Sequence, residues 1–460
     1  MWQILAASAR SVLPAVHVPP IRSASDALAA LCEKRTLEYE GRSRLPERDS
    51  VTRVTQDRRP DSKPRGGPAE VFRAFLKLGV TSFGGPTAHI GYFRDELVVR
   101  RKWVSEKQYA ELVALCQFLP GPASSQVGFA LGLIRGGVLG ALAAWAGFTL
   151  PSAGFMVLVA IGAIALDGVI GQGLLLGLNA VAVAVVALAV AGMARTLTPD
   201  LRRILIGVVA AGICIFIAGN LGQLAAMGIG IAAGMVWCRA SSVAGTEPLH
   251  VPVSRRVGLV ALSLFGVLLA GLPLLARLTQ NLWVEHIDAF YRAGALVFGG
   301  GHVVLPLLQA EPAIASAVTP EQFLAGYGAA QALPGPLFAF SAYLGFEMAP
   351  GVPALASALL ALIAIFVPGL LLLTAALPFW NRLRRSQKAR SAIAGANAAV
   401  VGILAAALWN PVVTSGITSV ASLCIALACL LILVTRKVPV WVTVLAGAAA
   451  GAVVNSVGIV

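Results

Sequence analysis

The sequence predicts an all-α polytopic membrane protein, made of two homologous halves arranged as an inverted-topology repeat with broken or re-entrant helices. Composition, an internal repeat and the placement of positive charge predict it. Of 460 residues, 58% are hydrophobic and 12% charged, against about 25% charged in a soluble chain; the mean hydropathy is +0.82. Such a chain is neither a soluble enzyme nor a disordered polypeptide. The net charge of +14 would point to nucleic acid in a soluble protein. Here the bases form short clusters between long apolar runs, so the surplus reads as positive-inside bias, with the lipid bilayer as partner and no nucleic acid.

Residues 1–69 hold 12 of the 35 Lys/Arg and 8 of the 21 Asp/Glu. With so little apolar surface they form a disordered N-terminal extension. The acid-poor opening reads as a plain cytoplasmic extension, the alternative being a transit-like segment. A first repeat follows at 70–238, then a linker at 239–287 carrying one transmembrane helix, then a second repeat at 288–460. Runs long enough to cross a bilayer, about 17 residues or more, lie at 137–165, 173–194, 204–219, 221–238, 257–276, 351–380, 391–409, 415–434 and 438–458. Four groups, 70–93, 105–135, 288–312 and 319–348, are instead interrupted by Gly and Pro near their middles.

Those four groups carry the repeat. Phe83-Gly84-Gly85 returns as Phe298-Gly299-Gly300, and Gln117-Phe118-Leu119-Pro120-Gly121-Pro122 as Gln331-Ala332-Leu333-Pro334-Gly335-Pro336. Val104–Tyr109 matches Val318–Phe323 in the same register, Pro151 matches Pro368, and Asn179-Ala180 matches Asn397-Ala398. The chain is therefore a duplication.

Charge gives the relative orientation. Arg94, Arg100, Arg101 and Lys102 face a base-free equivalent at 310–318, and the neutral loop at 166–172 faces Arg382, Arg384, Arg385, Lys388 and Arg390. Arg195, Arg202 and Arg203 face a base-free stretch at 409–414, and Gly219-Asn220 faces Arg436-Lys437. All four comparisons invert, so the halves lie in opposite membrane orientation with their basic loops cytoplasmic. The count closes if each Gly/Pro group enters and leaves on one side; the alternative is that 70–93 crosses once.

Broken backbone inside a bilayer is tolerated only where it is buried in protein or lines a cavity. In corresponding positions of inverted repeats it marks a transport site. Pro86 and Pro122 are placed to start helices whose free amides attract anions. Ser124, Ser125 and Gln126 add hydroxyl and amide donors, whereas half two offers no donor after Pro336 until Ser341. Half one thus reads as the binding half. The candidate substrate-binding residues are Lys77, Gly84, Gly85, Pro86, His89, Gln117, Pro120, Gly121, Pro122, Ser124, Ser125 and Gln126 in half one. In half two they are Arg292, Gly299, Gly300, His302, Gln331, Pro334, Gly335 and Pro336. Lys77 and Arg292 are the candidate balancing charges, the plainer reading being that they pair with an acid such as Glu311 or Glu347.

No HExxH, GxSxG or GxxxxGK[ST] motif is present, so no catalytic residue is assigned and the chain reads as no enzyme. The six cysteines show no CxxC and read as small core side chains, leaving neither metal nor cofactor.

Phe83-Gly84-Gly85-Pro86 with His89, Leu119-Pro120-Gly121-Pro122 with Ser124-Ser125-Gln126, and their half-two counterparts together resemble the two-domain chromate ion transporters. The resemblance covers residues 70–460 and implies export of chromate across the plasma (inner) membrane, conferring chromate resistance, by halves of opposite topology. Half two has Gly301 where half one has Pro86, so the two halves are not expected to play equal roles. Sulfate or another oxyanion is the alternative substrate, a membrane-embedded lipid-modifying enzyme the rival from another class, and a homodimer the assembly considered.

Overall fold

The computed structural model describes residues 66–460 except 166–167, 218, 239–252, 299–300, 350–352, 384, 436 and 458–460. The expectations for residues 1–65, including Cys32, and for Gly299 and Gly300 fall outside the described residues. Half one comprises α1 (Pro68–Thr81), α2 (Gly85–Phe93), α3 (Glu106–Phe118), α4 (Ala123–Ala165), α5 (Val169–Leu197), α6 (Leu201–Phe216) and α7 (Asn220–Trp237). The connecting helix is α8 (Arg255–Thr279). Half two comprises α9 (Leu282–Leu296), α10 (Val304–Gln309), α11 (Pro320–Ala332), α12 (Phe340–Glu347), α13 (Ala354–Ala376), α14 (Gln387–Ala407), α15 (Val420–Thr435) and α16 (Val440–Ser456). No strand occurs among the described residues.

The repeated segments form the same local structures. Ser105 accepts from the Gln108 amide while the Gln108 side chain accepts from the Ser105 amide, a capping box that starts α3. Thr319 and Gln322 make the same box at the start of α11. Two otherwise orphaned donors are thereby satisfied at each start, which is why Val104–Tyr109 and Val318–Phe323 look alike.

Half one holds two helical hairpins. Helix α4 is interrupted at Gly136 and Gly137, where Gly137 takes φ +65°. The limbs fold back so tightly that a Cβ on Gly132 would strike the Gly140 backbone. The α1–α2 hairpin begins beside that turn, with Glu70 paired to Arg135 at 3.1 Å. It also ends there: the guanidinium groups of Arg101 and Arg135 lie over the Trp103 ring, 5.9 and 5.7 Å from its centroid. This hairpin and the one formed by α3 and the first limb of α4 therefore both enter and leave at the same end of the molecule. The second limb of α4 then runs away from that end.

In half two, α13 runs the other way. Gly369 packs on Gly121 at the deep end of the first hairpins. Further along the chain, Trp380 donates its indole N–H to Glu111 at 2.9 Å and stacks edge-on against Phe118. Helix α8 starts beside the end of α13, with Gly258 against Pro378, and carries the chain across to where α9 begins.

The remaining helices are exchanged between halves. Half-one α5 packs on half-two α15 and α16, and half-two α14 packs on half-one α6 and α7. Glycines permit both crossings: Gly173 and Gly177 lie against Gly451 and Gly447, and Gly395 lies between Gly230 and Gly234. These are small-xxx-small faces, which let helix backbones approach where lipid supplies no hydrophobic drive to association.

Among the described residues, five helices are long and apolar enough to cross a membrane: Ala123–Gly162, Ile170–Leu197, Arg255–Thr279, Ala354–Leu383 and Gln387–Gly416. The expected crossings at 204–219, 221–238, 415–434 and 438–458 are shorter apolar helices of 16 to 18 residues, about 24–27 Å long. Large apolar side chains on α4, α6, α7, α8 and α15 are exposed, Val208, Phe216, Val260 and Leu431 among them. This is the surface of a multi-pass membrane protein.

Overpacking a close crossing costs about 1–3 kcal/mol. Gly234→Leu and Gly451→Leu should each lower the thermal midpoint of the detergent-purified protein by several degrees. Gly228→Leu, on the same α7 but facing open space, should leave it within a degree; equal effects at all three positions would refute the exchanged packing.

Candidate functional site

Each Leu-Pro-Gly-Pro loop is held by the opposite half. The Gly121 amide donates to the Val297 carbonyl at 2.7 Å, and the Gly335 amide donates to the Ser82 carbonyl at 2.9 Å. Val297 and Ser82 are equivalent positions, each just before a Phe-Gly-Gly. Both glycines need the left-handed region, with φ +114° and +93°, and neither has room for a Cβ: Gly121 abuts Gly369 and Gln126, and Gly335 abuts Ser152 and Phe148. Side chains complete the clamps. Gln126 Nε2 donates to the Pro120 and Gly369 carbonyls, at 2.9 Å each. Ser152 Oγ donates to the Pro334 carbonyl at 2.6 Å. Ser152 and Gly369 each follow the repeated prolines Pro151 and Pro368.

The two breaks that share a cavity come from different halves. Gly84, Gly85 and Pro86 of half one and His302, Gln331, Gly335 and Leu337 of half two line a space of about 220 Å³, closed by Val185, Leu188, Leu433 and Val440. At about 30 Å³ per water, it has room for a tetrahedral oxyanion with a few waters. Gly301 packs against Pro86 and Leu337, so equivalent positions of the two halves meet here.

The cavity presents donors. Helix α2 starts at Gly85 with Pro86 in its first turn, an N-cap Gly84 at φ +97° and no side-chain cap, leaving the Gly85 and Thr87 amides without intrahelical acceptors. Gln331 Nε2 has no partner. His302 Nδ1 lies 2.7 Å from the Tyr327 hydroxyl, which leaves Nε2 as the ring nitrogen free for a ligand. Among the described residues that line the cavity there is no Lys or Arg.

The other predicted residues lie elsewhere. His89 Nδ1 is 3.4 Å from Ser124 Oγ; both are buried behind the half-one break, as are Ser125 and Gln126. His89 Nε2 and Ser125 Oγ have no partner. Pro122 is buried against Gly369, Pro336 precedes the short turn Leu337–Ala339, and Gln117 is exposed. A larger cavity of about 460 Å³, with Gln223, Gln309, Trp409 and Asn410 in its wall, contains none of the predicted residues.

Lys77 and Arg292 occupy equivalent positions and make equivalent ion pairs. Lys77 Nζ is 3.2 Å from Glu96, and Arg292 is 2.7 Å from Glu311; both acids lie 19 residues downstream of their cation. Arg100 and Arg101 also reach Glu96, at 2.8 Å each, and Asp288 joins Arg292 at 3.1 Å. The Lys77 side chain is 51% exposed. The structure does not bring either cation to the cavity. Sequence reasoning missed Glu96, although its offset of 215 from Glu311 equals that of Lys77 from Arg292. It also missed Tyr327, Ser152 and Gly369.

A family model described as "Chromate transporter" matches residues 69–236 and again 284–452. A probable chromate transport protein of Synechococcus elongatus is 31% identical over 343 residues, covering 73% of this chain and 82% of that protein. A chromate transport protein of Pseudomonas aeruginosa is 28% identical over 344 residues, 73% and 79% of the two chains. An uncharacterized transporter of Methanocaldococcus jannaschii is 25% identical over 356 residues, 76% and 86% of the two chains. No solved structure matches the chain.

Burial raises the Glu96 carboxyl, but hydrogen bonds from Arg101 and Lys77 and their charges outweigh it and hold the group below the ordinary range. A lowered folded-state pKa stabilises the fold above the unfolded value, about 4.3, and the gain is lost as pH falls through the folded value. Glu96→Gln should therefore destabilise the protein at pH 7 and flatten its loss of stability below about pH 4.3, measured by melting across pH. An unchanged acid limb would refute this role. Independently, Gly121→Ala and Gly335→Ala should each reduce the yield of folded protein in size-exclusion profiles, and wild-type yields would argue against the clamps.

Proposed function

Because the chain belongs to the chromate transporter family, we propose that it moves chromate or a like tetrahedral oxyanion across the plasma membrane, seating the anion in the cavity between the Pro86 and Gly335 breaks. The observation that carries this reading is the convergence of uncapped α2 amides with the unpartnered Gln331 amide. Helix N-termini bind anions through free N–H groups and the local dipole. Burying a dianion without such donors is prohibitive. Partial charges also suit a site that must release its ligand. His89, Ser124, Ser125 and Gln126 lie behind the half-one break and shape it; among them, Ser124 and Ser125 are the hydroxyls available should the anion move deeper into half one.

Export is the direction we propose. An inside-negative potential drives negative charge outward with about 2.3 kcal/mol per net charge per 100 mV. Outward transport of chromate would confer resistance. The orientation we propose puts the basic clusters at 94–102, 195–203, 382–390 and 436–437 in the cytoplasm. The antiparallel course of α4 and α13 supports opposite orientations of the halves.

In energised everted vesicles the protein should accumulate chromate, with sulfate competing, and Gln331→Leu should cut the initial rate at least tenfold without loss of protein. A wild-type rate in Gln331→Leu would move the seat elsewhere, and absence of uptake by intact wild-type protein would overturn export. Single cysteines replacing Arg101 and Ser316 should label from opposite sides of the membrane; labelling from one side would contradict the topology.

A further inference from the structure

We infer that His302 takes up one proton each time an oxyanion dianion occupies the cavity and returns it when the anion leaves, so that anion and proton travel together. This rests on the cavity being the anion seat and adds what the seat does with charge.

The first argument is charge balance. Among its described residues the seat offers amides but no fixed cation, for Lys77 and Arg292 are held in ion pairs away from it. Donors with partial charges solvate a dianion incompletely, and a residual buried charge remains costly. A single positive charge in the wall would offset half of it.

The second argument is which group can supply that charge. Helix α11 contributes Tyr327 and Gln331 beside His302. The α2 break contributes Gly84, Gly85 and Pro86, and α5, α15, α16 and the Leu337 turn contribute only apolar residues. Among the described lining residues His302 is the one side chain of the type whose unperturbed titration lies near neutral pH, and so the one that can gain a proton; Tyr327, buried in contact with it, is the other titratable group nearby.

The third argument is that the hydrogen bonds accommodate both states. In the neutral ring the Tyr327 hydroxyl donates to Nδ1, and the ring's one proton sits on Nε2, where it donates to a ligand. When a proton from entering water is added at Nδ1, that N–H donates to the Tyr327 oxygen. The hydroxyl is then free to turn its proton toward the Gln331 side chain, one turn further along α11. No covalent bond other than N–H changes, and the proton returns to water as the anion leaves. Half one has no counterpart, since the position equivalent to His302 is Thr87; the asymmetry of the cavity thus becomes an asymmetry of proton handling.

The test uses the purified full-length chain in weakly buffered solution, at a pH where free chromate is a dianion, with bound chromate and proton uptake measured together. Wild-type protein should take up close to one proton per chromate. His302→Gln, which keeps an amide donor but cannot titrate, should reduce uptake per bound chromate at least fivefold. Tyr327→Phe keeps the imidazole but removes the acceptor for the added N–H, so the pH at which half the uptake is seen should move down. Chromate binding by wild type without proton uptake, or undiminished uptake in His302→Gln, overturns the inference and leaves the seat standing. If His302→Gln fails to fold or to bind, Tyr327→Phe decides: a lowered midpoint supports the inference and an unmoved one overturns it. Failure of wild type to bind chromate removes the seat and this inference with it.

Discussion

Two backbone hydrogen bonds, from Gly121 to the Val297 carbonyl and from Gly335 to the Ser82 carbonyl, make it possible for this chain to break its helices inside a membrane. Lipid offers no partner to a freed amide or carbonyl, so a Leu-Pro-Gly-Pro loop at mid-depth must be satisfied by protein. Here the other half satisfies it. Ser152 does the same for the Pro334 carbonyl, and Gln126 ties the Pro120 carbonyl of its own loop to the Gly369 carbonyl of the other half. Each loop is thus tied to the opposite half, and the glycine-lined exchange of α5 and α14 follows the same logic at larger scale.

The clamps are reciprocal, but the space between them is not. Where half one has Pro86, half two has Gly301, and the two residues touch. Proline pre-sets the first turn of α2 and leaves its amides uncapped, while half two answers with His302 and Gln331 instead of a second long helix start. Near-symmetry builds the frame, and local substitutions on it give the cavity its chemistry. The paired ions at Lys77–Glu96 and Arg292–Glu311 belong to the frame.

Much of the fold was legible because the duplication repeats punctuation: Phe-Gly-Gly, Leu-Pro-Gly-Pro and the residues now seen as capping boxes are all local signals. The membrane-spanning runs were legible from hydropathy. What the sequence could not convey was which breaks face one another. Reading along the chain groups Pro86 with Pro122, whereas the fold sets Pro86 against Gly335 through contacts between residues some 250 positions apart. Tyr327 lies mid-helix in no motif, and only its approach to His302 singles it out. The equivalence of Glu96 and Glu311 was present in the numbering; comparing loops by their bases alone concealed it.

The central claim is that one oxyanion sits between the start of α2 and the Gln331 amide. The direct test is an anomalous difference map, at wavelengths where chromium scatters anomalously, from crystals of the full chain grown with chromate. A single mid-depth peak within hydrogen-bonding distance of the Gly85 amide and Gln331 Nε2 is the predicted result. A peak confined to the basic cluster at 94–102, or beside Ser124 and Ser125 with the cavity empty, would contradict it.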